Sequence, residues 1–106
     1  MIPHIAVMRV VVEQAGLAAS PTLRKRVREQ LLLSLGRLCA NVRSVTVRLD
    51  ATSDVRGQVR CTVRMTLEAG ASAEAQVFET SLETALERAI KRAARATARR
   101  IEESKS

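Results

Sequence analysis

The sequence predicts an α+β fold: a single two-layer domain in the order β-α-β-β-β-α, with a four-stranded sheet and both helices on one of its faces. Three observations carry this expectation. Residues 44–50 and 59–67 alternate apolar and polar side chains, the period of strands with one face buried and one wet. The segments after Ser20 and Ser81 instead repeat apolar residues every three or four positions, the period of a helix with one buried stripe. The chain of 106 residues is 46% hydrophobic with one aromatic residue, Phe78, so it can bury one core, and that core is aliphatic. The domain is expected over 8–101, with 1–7 and 102–106 as short ends that need not be ordered.

Each element has a local reason. Met8 to Glu13 is β-branched and places Met8, Val10 and Val12 on one face, which reads as a strand. Gln14 to Ala19, containing Gly16, reads as a loop. Ser20 is a good N-cap and Pro21 fits the first helical position, so a helix begins there and is expected to run to about Cys39. Leu23, Val27, Leu31, Leu35 and Leu38 form its buried stripe, and Asn41 marks its exit. Val45, Val47 and Leu49 then alternate with Ser44, Thr46, Arg48 and Asp50. After a polar hairpin loop from Ala51 to Gly57, Val59, Cys61, Val63, Met65 and Leu67 alternate with Arg60, Thr62, Arg64 and Thr66. A turn at Ala69 to Ser72 leads to a shorter strand, Ala73 to Phe78, with Ala75 and Val77 inward. Ser81 caps the last helix, and Glu102 to Ser106 is expected to be a polar tail. The expected core includes Val45, Val47, Val63, Met65, Leu31, Leu35, Leu86 and Ile90.

Charge gives the first functional pointer. The formal net charge is +7, which suits a polyanion, an anionic membrane surface or an acidic protein. The last helix concentrates it. Leu82, Leu86, Ala89, Ile90, Ala93, Thr97 and Ile101 fall on one side at about 100° per residue, while Arg88, Lys91, Arg92, Arg95 and Arg99 fall on the other. From Glu83 to Arg100 six bases face two acids, and those acids lie toward the start of the helix, ahead of every base, where they favour the helix dipole. Such a stripe matches the charge spacing of a phosphate backbone. Helix one adds net +4 from Arg24, Lys25, Arg26, Arg28 and Arg37 against Glu29. The RNA-binding candidates are therefore Arg88, Lys91, Arg92, Arg95 and Arg99, joined by Arg24, Lys25 and Arg28 if the helices pack side by side. The open sheet face, with Arg48, Arg60 and Arg64, is the alternative.

Other chemistries find little support. The only histidine is His4, so no Ser, His and Asp set exists, and the four glycines are scattered at turns rather than gathered into a phosphate loop. Asp50 and Asp54 read as hairpin-loop residues. Cys39 and Cys61 form no CxxC pair and lie in apolar patterns, which reads as two reduced, buried thiols without a metal site. No cofactor is expected. The start lacks a basic region followed by an apolar core, so a cytoplasmic location is expected. Scarce aromatics argue against bases stacked on an open sheet, and Phe78 is read as an edge contact of the core.

The order of elements, the Ser20-Pro21-Thr22-Leu23-Arg24 opening of helix one, the Val45-Thr46-Val47 strand, and Val59-Arg60-Cys61-Thr62-Val63 with its following turn and strand together resemble the ribosome hibernation promoting factors. So does Ser81-Leu82-Glu83-Thr84-Ala85-Leu86-Glu87-Arg88-Ala89. These factors are also called ribosome-associated inhibitors, ribosomal subunit interface proteins or sigma-54 modulation proteins. The resemblance spans Met8 to about Arg100. The family's second helix usually opens with Asp, then Tyr two residues on, then Ala-Ile-Asp. This chain has Ser81, Glu83 and Ala85-Leu86-Glu87, which keeps the capping chemistry and loses the aromatic. The resemblance implies a short-form, non-enzymatic factor that binds rRNA in the decoding channel of the small ribosomal subunit and inhibits translation under stress. The alternative is a basic regulatory module, a diverged member, that binds an acidic protein.

Overall fold

The computed structural model describes residues 8–52 and 57–105, with side chains through Glu103. The elements are β1 (Arg9–Gln14), β2 (Leu17–Ala18), α1 (Pro21–Leu35), a 3-10 turn (Gly36–Asn41), β3 (Val42–Ala51), β4 (Val59–Leu67), β5 (Ser72–Glu79) and α2 (Leu82–Lys105). The strands form one mixed sheet in the order β2-β1-β3-β4-β5. β1 runs parallel to β3 through the α1 crossover, and the remaining pairs are antiparallel. The fold is the expected two-layer α+β arrangement, with α1 over β1, α2 over β4 and β5, and the helices touching each other.

The register follows the alternation. Val45, Val47, Leu49, Cys61, Val63, Met65, Ala75 and Val77 point into one core with Val27, Leu31, Leu35, Leu86 and Ile90. All eight residues expected in the core are buried. Thr97 is the single buried polar residue among those described, and its hydroxyl lies 3.2 Å from the sulfur of Met65. Ser20 and Ser81 cap as expected: each side-chain oxygen accepts from the backbone three residues on, Leu23 at 3.2 Å and Thr84 at 3.4 Å.

Five details differ from the sequence expectation. The sheet has five strands, because Gln14 to Ala19 is a hairpin rather than a loop. Ala15 (φ 53°) and Gly16 (φ 78°) both adopt the left-handed region, and this two-residue turn pairs Gln14 with Leu17. The Ala15 N–H donates to the Leu49 carbonyl at 2.9 Å, which holds the turn against β3. Helix one stops at Leu35 rather than Cys39, because Gly36 takes φ 55° and its N–H donates to the Leu32 carbonyl. Asp50 lies in β3 rather than in the hairpin loop. The loop expected over Ala51 to Gly57 lies largely outside the described residues, as do Asp54, His4 and the 1–7 end; Thr52 closes its base, with its N–H 3.1 Å from the Gln58 carbonyl. Glu102 to Lys105 continue α2 instead of forming a tail, since Ile101 is buried and Glu and Lys are good helix formers. Phe78 is 47% exposed on the open face, opposite Arg60, and is not a core contact.

Ala15 makes the hairpin testable. A non-glycine residue in the left-handed region is strained, and Asn tolerates it better than Ala. The substitution Ala15→Asn is expected to stabilise the protein by roughly 0.5–1 kcal/mol, read as a higher urea midpoint at unchanged slope.

Candidate nucleic-acid interface

The two faces of the domain differ in charge. On the open sheet face Arg9, Arg48, Arg60 and Arg64 stand against Glu13, Asp50 and Glu74, a net of +1. The strand register places an acid directly across from three of these arginines. Arg48 Nε lies 3.1 Å from Glu13 Oε1, Arg60 Nη2 3.6 Å from Asp50 Oδ2, and Arg64 Nη1 3.9 Å from Glu74 Oε2. This checkerboard neutralises the face that was the alternative candidate. The strand carboxylates Glu13, Asp50 and Glu74 are thus the partners of its arginines.

The helix layer carries the excess. Across α1, the 3-10 turn and α2 as far as Glu103, eleven bases stand against five carboxylates. Two bases of the α2 stripe have acidic partners: Arg88 Nη1 lies 2.9 Å from Glu79 Oε2, and Lys91 Nζ 2.8 Å from Glu87 Oε1 one turn away. The hydrogen bond and charge of Lys91 hold the Glu87 carboxyl below its ordinary range. On α1, Arg26 pairs with Glu83 and ties the two helices together. Among the described residues no carboxylate lies within ion-pair distance of Arg92, Arg95, Arg99, Arg24, Lys25 or Arg28. These six are charged, exposed and available to an anionic ligand.

The helices do pack side by side, but the candidate bases do not make one strip. Arg26, Gln30 and Leu33 form the flank of α1 that faces α2. Arg24, Lys25 and Arg28 lie on its opposite flank, where with Val10 and Pro21 they line a cleft of about 270 Å³ beside β1. On α2, Lys91 and Arg95 turn toward α1. Arg88 turns toward the end of β5, and Arg92, Arg95 and Arg99 share its side of the helix to within about 40°, so Arg95 borders both the groove and this side. The bases thus form two outer lanes with a groove between them, and the lane on α2 extends roughly 16 Å from Arg88 to Arg99. Separated cations of this kind contact phosphates on different stretches of backbone rather than one continuous run.

The cysteines take no part. Cys39 and Cys61 are buried and unbridged, and burial pushes both thiols up, that of Cys61 to about 12. At pH 8 the Cys61 thiol stays protonated. Alkylation should therefore be slow in the native protein and add two groups in denaturant without reductant. A mass two protons short, with no adducts, would instead reveal a disulfide.

No family profile matches the sequence, and no curated protein matches it. Solved structures do. The chain superposes on a ribosomal subunit interface protein from Coxiella burnetii with a TM-score of 0.75 at 12% identity, over 90% of this chain and 99% of that one. It superposes on the N-terminal domain of Protein Y from Thermus thermophilus with a TM-score of 0.67 at 19% identity, over 83% of this chain and 92% of that domain. The fold is therefore that of the ribosomal subunit interface protein and of the Protein Y N-terminal domain.

Proposed function

We propose that this protein is a ribosome-binding factor of the hibernation promoting family, acting without catalysis in the cytoplasm. The observation that carries this reading is the fold, shared over nearly the whole length of a ribosomal subunit interface protein. The charge distribution supports it: the excess of bases lies on the helix layer, and eight of its eleven bases, the six candidates above among them, have no carboxylate partner among the described residues. In this reading Arg92 and Arg99, with Arg88 beside them, hold phosphates of small-subunit rRNA at one lane, and Arg24, Lys25 and Arg28 hold them at the other. Lys91 and Arg95 lie between the lanes. Guanidinium groups suit this work, because each offers a planar fork to phosphate oxygens and stays charged at any physiological pH. Seated in the decoding channel, a domain of this size excludes mRNA and tRNA and keeps the ribosome silent during stress. The recognition is of phosphate position and RNA shape, since the one aromatic, Phe78, lies on the other face of the domain.

The test is cosedimentation with purified small subunits through sucrose gradients. The protein is expected to travel with the subunit at about 50 mM salt and to be released by about 500 mM, as counterion release requires. In a cell-free translation reaction it should inhibit in proportion to occupancy. A protein that stays at the top of the gradient at low salt would overturn the reading.

A further inference from the structure

The groove between the helices has a different chemistry from the lanes beside it. It is an open depression of about 560 Å³ between the end of α1 and the middle of α2. Its lining includes Leu33, Leu38, Ala94 and Ala98, and Lys91 and Arg95 stand among them. Leu33 is 81% exposed, more than any other large apolar side chain described, and adds nothing to the core. Ala94 and Ala98 are small, which opens room beside it for an incoming side chain. A phosphate backbone gains nothing from a leucine and two alanines. A second copy of this chain, docked helix layer to helix layer, would set two strongly basic surfaces against each other.

We infer that this groove receives a segment of a protein partner that presents a leucine-type side chain flanked by carboxylates. The apolar side chain fills the space beside Leu33, Ala94 and Ala98, and the carboxylates meet Lys91 and Arg95. Lys91 is already held by Glu87, so Arg95, with no acidic partner among the described residues, is the stronger anchor. The inference goes beyond RNA binding and does not rest on it.

The probe is a fluorescent amphipathic peptide of alternating leucine and glutamate pairs, with a second peptide in which every leucine is serine. Binding is read by anisotropy on the full chain, and a decamer of uridylate is the RNA probe. The leucine peptide is expected to bind at least tenfold more tightly than the serine peptide. Leu33→Asp and Arg95→Glu should each weaken the leucine peptide at least tenfold. Arg92→Glu should leave peptide binding unchanged while weakening the uridylate. Leu33 is exposed, so its variant keeps the fold, which circular dichroism verifies. Equal binding of the two peptides, or leucine-peptide binding untouched by Leu33→Asp, would overturn the inference. Failure of the unsubstituted protein to bind uridylate, with leucine-peptide binding present, would count against the RNA reading and leave the groove standing.

Discussion

Replacing Arg92 and Arg99 together with glutamate is expected to release the protein from small subunits at moderate salt while leaving it folded. Both side chains are exposed, and neither has a carboxylate partner among the described residues, so the change orphans no buried group. The stability change should stay within about 0.5 kcal/mol. Two charge-assisted phosphate contacts, at about 1.5 kcal/mol each, correspond to an affinity loss of roughly 100-fold. The slope of log affinity against log salt should fall by about two. A control reversal at Arg48 and Arg64 strikes the checkerboard face, where Glu13 and Glu74 already answer the charge. It should leave the salt slope unchanged. A folded Arg92→Glu, Arg99→Glu protein that still cosediments with its slope intact would reduce the α2 lane to a solvated face.

The two faces show how much of the site could be read from the chain. Helical periodicity separates Leu86, Ile90 and Thr97 from Arg88, Arg92 and Arg95 without any structure, because a helix's own geometry decides which side chains share a side. Relations between elements are not written that way. Arg48, Arg60 and Arg64 looked like a second basic face because their acidic partners are set by strand register: Glu13 is 35 residues from Arg48. The placement of Arg24 and Arg28 beside β1 rather than beside α2 depends on how α1 is rolled about its axis, which follows from the burial of Val27, Leu31 and Leu35 together. A wheel of α1 does put Arg24 and Arg28 roughly 160° from Arg26 and about 140–180° from Leu33, so the division into two flanks was legible even though the partner of each flank was not. The groove was missed because Leu33 lies outside the buried stripe and an isolated exposed leucine carries no signal of its own.

The strand assignments divide along similar lines. Period two over residues 44–50 and 59–67 placed Val45, Val47, Leu49, Cys61, Val63, Met65 and Leu67 on their proper face, whereas buried Val42, beyond the bulge at the start of β3, lay outside the pattern. The β1–β2 hairpin escaped because its turn is Ala15-Gly16, and Ala is not among the residues that announce a left-handed turn. The end of α1 escaped for the opposite reason. Leu38 and Cys39 keep the apolar period past Gly36, so periodicity argued for continuation while the backbone stopped at the glycine.

The second large effect concerns the other stripe of α2. Ile90 is fully buried where the helix crosses the sheet, with Ala89 and Ala93 beside it, both at 0% exposure. These small residues bring the helix backbone close to β4 and β5, so Ile90 supplies much of the side-chain volume at that level. Truncation by Ile90→Ala removes three carbons and leaves a cavity that two packed layers cannot close. The expected loss is about 3–4 kcal/mol, a large part of the roughly 5–15 kcal/mol that holds a domain of this size. The thermal midpoint should fall by roughly 15 °C. Leu33→Ala deletes the same kind of side chain from the same helix layer and should cost less than about 0.5 kcal/mol, because that leucine is already in water. The pair separates burial from composition. If the two truncations proved equally destabilising, α2 would not sit on the sheet as described, and the orientation of its basic stripe would fall with it.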